Sequence, residues 1–513
     1  MGKMTEKKIG IIDLGSNSIR LVIFHIDQNG QYKELYNFKI NARLATYIDA
    51  EGNLSNEGIE VVIDSLKKFV PIVQFHQVAE TKGVATAAIR SAKNRKMVLE
   101  AIKRETNFDF RVLSGQEEAY YGYLAVIHSV YLTEGITIDI GGASTEVAYF
   151  KNRELVHSYS FPFGALTLKK RFIANSEPKE SEMKELTVFL RNEFSSQKWL
   201  KNKNVPVIGI GGSARNLIRL HQNKTNYPLF GIHQYEMEPN EIKKINQWLI
   251  GMTVSERQKL DGLSKERADI IIPAIEAIYT LTEIVSAPFF TMSSKGLREG
   301  VFFEEVFSNL NVRSFSQVAD ETFSKLASDY KINLKNTSFL LRLAYVFVSE
   351  CEAKKIISFT QEEKEILFKS TKLVQFGEFI DHHSSSQHTF YILTNRSLDG
   401  ISHKMRLKLA CVASFKSKKT LMKYISPYKS LLTEEEILSL ERLGAILKFL
   451  YSLNTTHRCI ISELEVNKKE GEKMEISLAC NSDYTFEEQE ANKQKKHMER
   501  AFNCQVELSF TLV

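Results

Sequence analysis

The chain carries one short pattern twice, and that repeat restricts its fold more than any other feature. "IGIIDLGSNSIRLVIF" and, further on, "ITIDIGGASTEVAYF" both read as apolar strand, aspartate, apolar residue, glycine, small polar residues and second strand. Asp13 aligns with Asp139, Gly15 with Gly141, Ser16 with Gly142 and Ser18 with Ser144. Two apolar, β-branched runs flank each loop and read as buried strands. Packing gives such strands little reason to be joined through a carboxylate and a set of small polar residues. Glycines let the backbone turn tightly enough for successive N–H groups to point into one concavity, an anion nest. Ser16, Asn17, Ser18 and Ser144 add side-chain donors, and Ala143 lies within the second loop. A carboxylate beside an anion is repulsive unless a divalent cation stands between them. Asp13 and Asp139 therefore predict Mg²⁺ or Mn²⁺, bound mostly through water. A pair of polar hairpin turns is the structural alternative, and the matched Asp and Gly in matched strand contexts speak against it. Two such half-sites facing across a cleft would grip a phosphate chain from both sides.

The first 300 residues alternate strand-like and helix-like segments, which predicts an α/β architecture with mixed sheets. "NEGIEVVIDSLKKFVPIVQF" has apolar residues at helical spacing and reads as one amphipathic helix. "TKGVATAAIRSAKN" reads as a strand end running into a helix, and "VPVIGIGGSARNLIRL" as strand, glycine turn and helix. From about residue 310 the texture becomes helical, and the last ~60 residues return to alternating strand patterns around a charged helix. The expected domains are 1–127 and 128–305 (two α/β lobes), 306–450 (helical) and 451–513 (a small α/β cap).

Composition narrows the class. Of 513 residues 43% are hydrophobic and 25% charged, with a net charge of +6. That modest excess suits a local basic surface for an anionic ligand, not a protein that binds nucleic acid. No apolar run reaches the roughly 18 residues a membrane span needs. "MGKMTEKK" lacks the apolar centre of a signal peptide, and Glu6 stands where a myristoylation motif wants Ser or Thr. Five unclustered cysteines fit reduced thiols in a cytoplasmic protein, without a disulfide framework or a zinc site.

"DLGSNSIRL" and "DIGGASTE" resemble the two phosphate loops of the actin-like ATPase superfamily, whose fold has two ribonuclease H-like lobes. The match is closest to its exopolyphosphatase/guanosine pentaphosphate phosphohydrolase branch. "DLGSNS", "ATAAIRSAKN", "SGQEEAYYGYLAV", "DIGGASTE", "GIGGSARN", "LSKERADIIIPA" and "GLREGVFFE" follow that family's order across residues 9–305. A weaker likeness to a degenerate HD-type helical domain continues beyond. The second loop departs from the family in holding Ala143 where a third glycine is frequent, which a negative φ would tolerate.

The resemblance implies hydrolysis of terminal phosphate from inorganic polyphosphate, with conversion of pppGpp to ppGpp as the alternative in the same fold. It also implies a homodimer. Phosphoryl transfer to water needs cationic clamps on the phosphate oxygens and a group that orients the nucleophile. By resemblance the catalytic glutamate falls on Glu118, with Glu117 as its less essential neighbour, although both also suit the first turn of a helix. Glu118 must come within ~3 Å of the attacking water, directly or through one more water. Glu146, closing "GGASTE", reads as a further carboxylate near the metal or as a solvent-facing strand residue. Arg90, at a strand-to-helix junction, is the expected phosphate clamp. Arg20 is either a further contact or a surface arginine. Gly211, Gly212 and Ser213 stand where relatives hold adenosine, at a helix N-terminus suited to an anion; a plain packing turn is the other reading.

In "FGEFIDHH", Gly377 and Glu378 stand where an HD site needs His and Asp, so no working metal site is expected there. His382, His383 and His388 read as polar loop residues, with metal binding as the lesser alternative. The basic run Lys404, Arg406, Lys408, Lys416, Lys418, Lys419 and Lys423 is a solvated face or a track along which a polyanion slides. A kinase would need an aspartate base for its acceptor and a chaperone a β-rich peptide-binding domain. The helical half speaks against the chaperone. The intact Asp13, Asp139 and Glu118 speak against a nucleotide sensor with a dead site.

Overall fold

A computed structural model describes residues 6–28, 31–175, 177–310, 318–374, 376–469 and 473–513. The readings of the extreme N-terminus at residues 1–5, and the first residues of "SQVADETFSKLASDY", lie outside these. The chain divides into two compact units, Met1–Tyr227 with Ile232–Val318, and Pro228–Gly231 with Ala319–Val513.

The first unit uses one plan twice. Strands β1 (Lys7–Leu14), β2 (Ser18–Ile26), β3 (Tyr32–Asn41), β4 (Glu80–Ala85) and β5 (Phe110–Val112) form a sheet of order β3-β2-β1-β4-β5. Strands β6 (Gly135–Ile140), β7 (Thr145–Lys151), β8 (Glu154–Phe161), β9 (Val207–Ile210), β10 (Glu236–Met237) and β11 (Phe290–Met292) form a second of order β10-β11-β9-β6-β7-β8. In each, an antiparallel hairpin carries the repeated loop, and its first strand pairs in parallel with a later strand, β1 with β4 and β6 with β9. The registers match as well: Asp13 opposes Arg20 where Asp139 opposes Glu146. Ile9, Ile11, Ile12 and Leu14 on β1 are all fully buried, because both faces of the strand are covered.

One core joins the two sheets. Ile9, Ile11 and Phe24 from the first sheet, Phe150, Ile208 and Ile210 from the second, and Phe302 and Phe303 pack around the helix Gly115–Ile127. From Ala119 to Ile127 that helix is buried except at the half-buried Tyr120, which leaves its N-terminal turn to reach polar surroundings. The expected single helix over 56–75 is broken into Asn56–Lys67 and Val70–Phe75. Pro71 sets the break, since it cannot donate to the preceding turn and is tolerated at the start of a new helix.

In the second unit, helices including Leu334–Ala353, Gln361–Thr371, His403–Ala413 and Glu434–Ser452 share one hydrophobic core with a three-stranded sheet. That sheet is β12 (Ile461–Lys469), β13 (Lys473–Cys480) and β14 (Gln505–Leu512), with the helix Thr485–Phe502 between β13 and β14. The expected boundary at 450/451 therefore falls inside a continuous core. Gly377 has a packing reason: a Cβ there would lie 1.8 Å from the Ser385 carbonyl oxygen, so no larger residue fits this backbone approach. Arg406 and Lys408 correct the basic-run reading. Arg406 is buried and donates to the Arg396 carbonyl at 2.7 Å and to that of Phe230. Lys408 is buried between Glu362 at 2.6 Å and Glu436 at 2.8 Å. Helical periodicity turns both inward, where their charge is spent on internal partners. Lys416, Lys418 and Lys419 are exposed, with Lys418 paired to Glu441 at 2.8 Å. Among the described residues no helix is long and apolar enough to cross a membrane.

Candidate active site

The two repeated loops close on themselves alike: the Gly15 N–H donates to the Ser18 carbonyl at 3.2 Å, and that of Gly141 to Ser144 at 3.0 Å. In the first loop the Ser16 carbonyl accepts from Ala45, and that of Asn17 from Ala42 and Arg43. In the second, the Gly141 carbonyl accepts from Ala165 and that of Gly142 from Leu166. A trans peptide points its N–H opposite to its C=O. The N–H groups of Asn17, Ser18, Gly142 and Ala143 are therefore turned from the packed side toward a shared cleft. Ala143 is not among the residues with positive φ, so it costs the loop no strain. The loops approach closely: a Cβ built on Gly142 would stand 3.6 Å from the Ser16 Cβ.

The cleft has a volume of about 330 Å³, and Asp13, Gly15, Ser16, Asn17, Ser18, Glu118, Asp139, Gly141, Gly142, Ser144, Glu146, Gly211 and Gly212 line it. Asp139 approaches Gly211 so closely that a Cβ at 211 would lie 2.3 Å from Oδ1, and Gly211 has a φ of +80°. Here glycine is required twice over, by backbone angle and by space. Ser213 lies in the first turn of the same helix, buried, and accepts from Arg267 Nη1 at 3.3 Å.

Burial raises Asp13, with Arg298 acting against it, and raises Asp139 to about 6 against the pull of Arg267. Glu118 and Glu146 are also raised, first by burial; repulsion from Glu146 adds to the rise of Glu118, and repulsion from Asp139 to that of Glu146. Such upward shifts are what a cation among hard oxygen donors relieves. The donor chemistry of Asp13, Asp139 and Glu146 thus fits a divalent ion. Among the described residues no three acidic, histidine or cysteine side chains converge as a direct ligand set.

Two sequence assignments change. Glu117 belongs to a helix cap: its carboxylate accepts from the Ser114 N–H at 2.7 Å while its own N–H donates to Ser114 Oγ at 3.2 Å. That is a capping box, and it turns Glu117 away from the cleft. Arg90 is not a free phosphate clamp, for it donates to the Leu113 carbonyl at 2.9 Å and forms an ion pair with Glu118. The cleft's cations are Arg20, Arg215, Arg219, Arg267 and Arg298, with Lys39 and Lys295. Arg298 Nη1 is 3.1 Å from Asp13 Oδ2. Arg215, Arg267 and Arg298 sit in "GIGGSARN", "LSKERADIIIPA" and "GLREGVFFE", motifs whose arginines the sequence reading passed over.

Residues 22–309 match the Ppx/GppA phosphatase family, and residues 318–497 match domain III of Ppx/GppA phosphatases. The chain belongs to the Ppx/GppA phosphatase family. It has the actin-like fold of that family, and membership makes it a hydrolase of phosphoanhydride bonds. Among solved structures, a Ppx/GppA family member from Aquifex aeolicus is 31% identical, aligned over 59% of this chain and 99% of that one with a TM-score of 0.54. An exopolyphosphatase from Cytophaga hutchinsonii is 25% identical, aligned over 59% and 98% with a TM-score of 0.55. Both alignments cover little more than half of this Ppx/GppA chain.

Proposed function

We propose that this chain is an exopolyphosphatase that removes terminal orthophosphate from inorganic polyphosphate by attack of water, with Mg²⁺ or Mn²⁺. The lining of the cleft carries this reading. Seven cationic side chains stand against five carboxylates, and no aromatic residue is among the described lining residues. A nucleobase is ordinarily held by stacking or by an apolar slot, whereas a chain of phosphates asks only for distributed positive charge and N–H donors. The alternative, hydrolysis of pppGpp, needs the same loops and glutamate but gains nothing from this lining.

In the proposed reaction the N–H groups of both loops and the arginines hold the terminal phosphoryl oxygens and those behind them. Asp13, Asp139 and Glu146 would hold the metal ion, which when bound supplies positive charge to the phosphate oxygens. Glu118 accepts the proton of the attacking water, and its raised proton affinity suits a base that works near neutral pH. Arg90 keeps Glu118 oriented. The exposed lysines Lys416, Lys418 and Lys419 remain candidates for holding polyphosphate by charge alone. The helical unit is read as a degenerate HD-type domain in which Gly377 serves packing.

Phosphate release from long-chain polyphosphate, guanosine pentaphosphate and ATP, each with Mg²⁺, tests the assignment. The expected order of kcat/KM places polyphosphate first. Faster turnover of guanosine pentaphosphate than of polyphosphate would replace it with the alternative.

A further inference from the structure

We propose that Ser160 and Gly115 form a positioning pair that sets Glu118 against Glu146, an inference that rests on the catalytic reading of those two carboxylates. Ser160 lies on β8 directly across from Glu146 on β7. Its Oγ donates to Glu146 Oε1 at 2.8 Å, and Glu146 is only 6% exposed. The same side chain is the floor on which the helix Gly115–Ile127 starts. A Cβ at residue 115 would come within 2.3 Å of Ser160 Oγ and 2.4 Å of Ser160 Cβ. Gly115 does not have a positive φ, so its backbone angle does not demand glycine; the close approach does. Three residues later on that first turn stands Glu118.

One small side chain thus touches both halves of the machinery. Together with Ser144, which also hydrogen-bonds Glu146, the hydroxyl orients a carboxylate assigned to the metal, and its bulk sets how deep the turn bearing the assigned base can sit. Neither residue touches a reacting atom, so each acts through another. Partners that orient a metal-binding carboxylate matter about as much as the ligands, and a base displaced by an ångström loses much of its rate.

The test uses the full chain with Ser160→Ala, Ser160→Gly, Gly115→Ala and the double variant Gly115→Ala/Ser160→Gly. Mn²⁺ affinity is measured by calorimetry without substrate. Steady-state kinetics use whichever phosphoanhydride the wild type turns over fastest, so a wrong choice of polyphosphate leaves this test intact. Ser160→Ala is expected to weaken Mn²⁺ binding and lower kcat by about 10-fold each, the size seen when such an orienting partner is lost, with KM little changed and the melting temperature kept. Gly115→Ala is expected to lower kcat by about 10²-fold, the cost of a misplaced catalytic group. In the Ser160→Gly background, where the atoms it would strike are gone, that loss should vanish. Wild-type kcat and Mn²⁺ affinity in Ser160→Ala overturn the proposal. So does a Gly115→Ala penalty that persists undiminished without the Ser160 side chain. Should a variant fail to fold, the remaining comparisons decide it by the same criteria.

Discussion

Glutamine in place of Glu118 is expected to reduce kcat by about 10³-fold, within the range ascribed to general-base catalysis, while KM changes little. The substitution keeps the side chain's shape and a hydrogen-bonding oxygen but removes the capacity to take a proton. Glu118 is the acidic residue that the buried helix Gly115–Ile127 delivers to the cleft, next to Glu146 and in an ion pair with Arg90. Arg90 would still have the Leu113 carbonyl, so its orientation survives the exchange. Glu117→Gln is the matched control. It weakens a capping box, a stability cost of about 1 kcal/mol, and should leave turnover near that of the wild type. Steady-state phosphate release by the two variants checks both. Normal turnover by Glu118→Gln removes the assigned base, and a large loss in Glu117→Gln would return that residue to the site.

Gly211→Ala should be nearly inactive. The new methyl would stand 2.3 Å from Asp139 Oδ1, and the φ of +80° is one that alanine resists. Left-handed backbone costs an L-residue roughly 1–2 kcal/mol, so a lowered melting temperature is expected together with a loss of activity of more than about 10²-fold, as for other ångström-scale misplacements. The adjacent Gly212→Ala separates the two effects. Its methyl would meet the end of the Arg267 side chain at 2.4 Å, and its φ is not in the left-handed region. A guanidinium can move aside where the short Asp139 cannot. Gly212→Ala is therefore expected to raise KM by weakening an arginine contact while retaining most of the stability. Thermal melts and kinetics on both variants check this, and wild-type activity in Gly211→Ala would show that Asp139 has room to spare.

Much of the site was legible because its chemistry is local. Each loop is a contiguous run in which Asp, Gly and Ser occur together, and two copies in matching strand contexts tie them to one cleft. Glu118 also lay within a short motif, yet Glu117 beside it could be set apart only once the capping box with Ser114 was visible. Arg90 illustrates the complementary limit. Its position at a strand-to-helix junction was readable, but its partner, Glu118, lies 28 residues away. Arg298 meets Asp13 across 285 residues, a pairing that no spacing rule reaches. The fold class followed from alternating periodicities, whereas the break at Pro71 depends on one residue overriding an amphipathic pattern that runs through it. Arg406 and Lys408 show the reverse error, where a run of like charges looked like surface because its internal acceptors come from distant segments.

The central physical claim is that both glycine loops hold one phosphate chain through a cation bound by buried carboxylates. Calorimetric titration of tripolyphosphate into the Glu118→Gln variant, with Mg²⁺ and with a chelator, tests it most directly. One chain should bind per protein with Mg²⁺, with affinity at least about 10-fold weaker without it, because carboxylates facing phosphate repel it when no ion intervenes. Equal affinity in the chelator would contradict it.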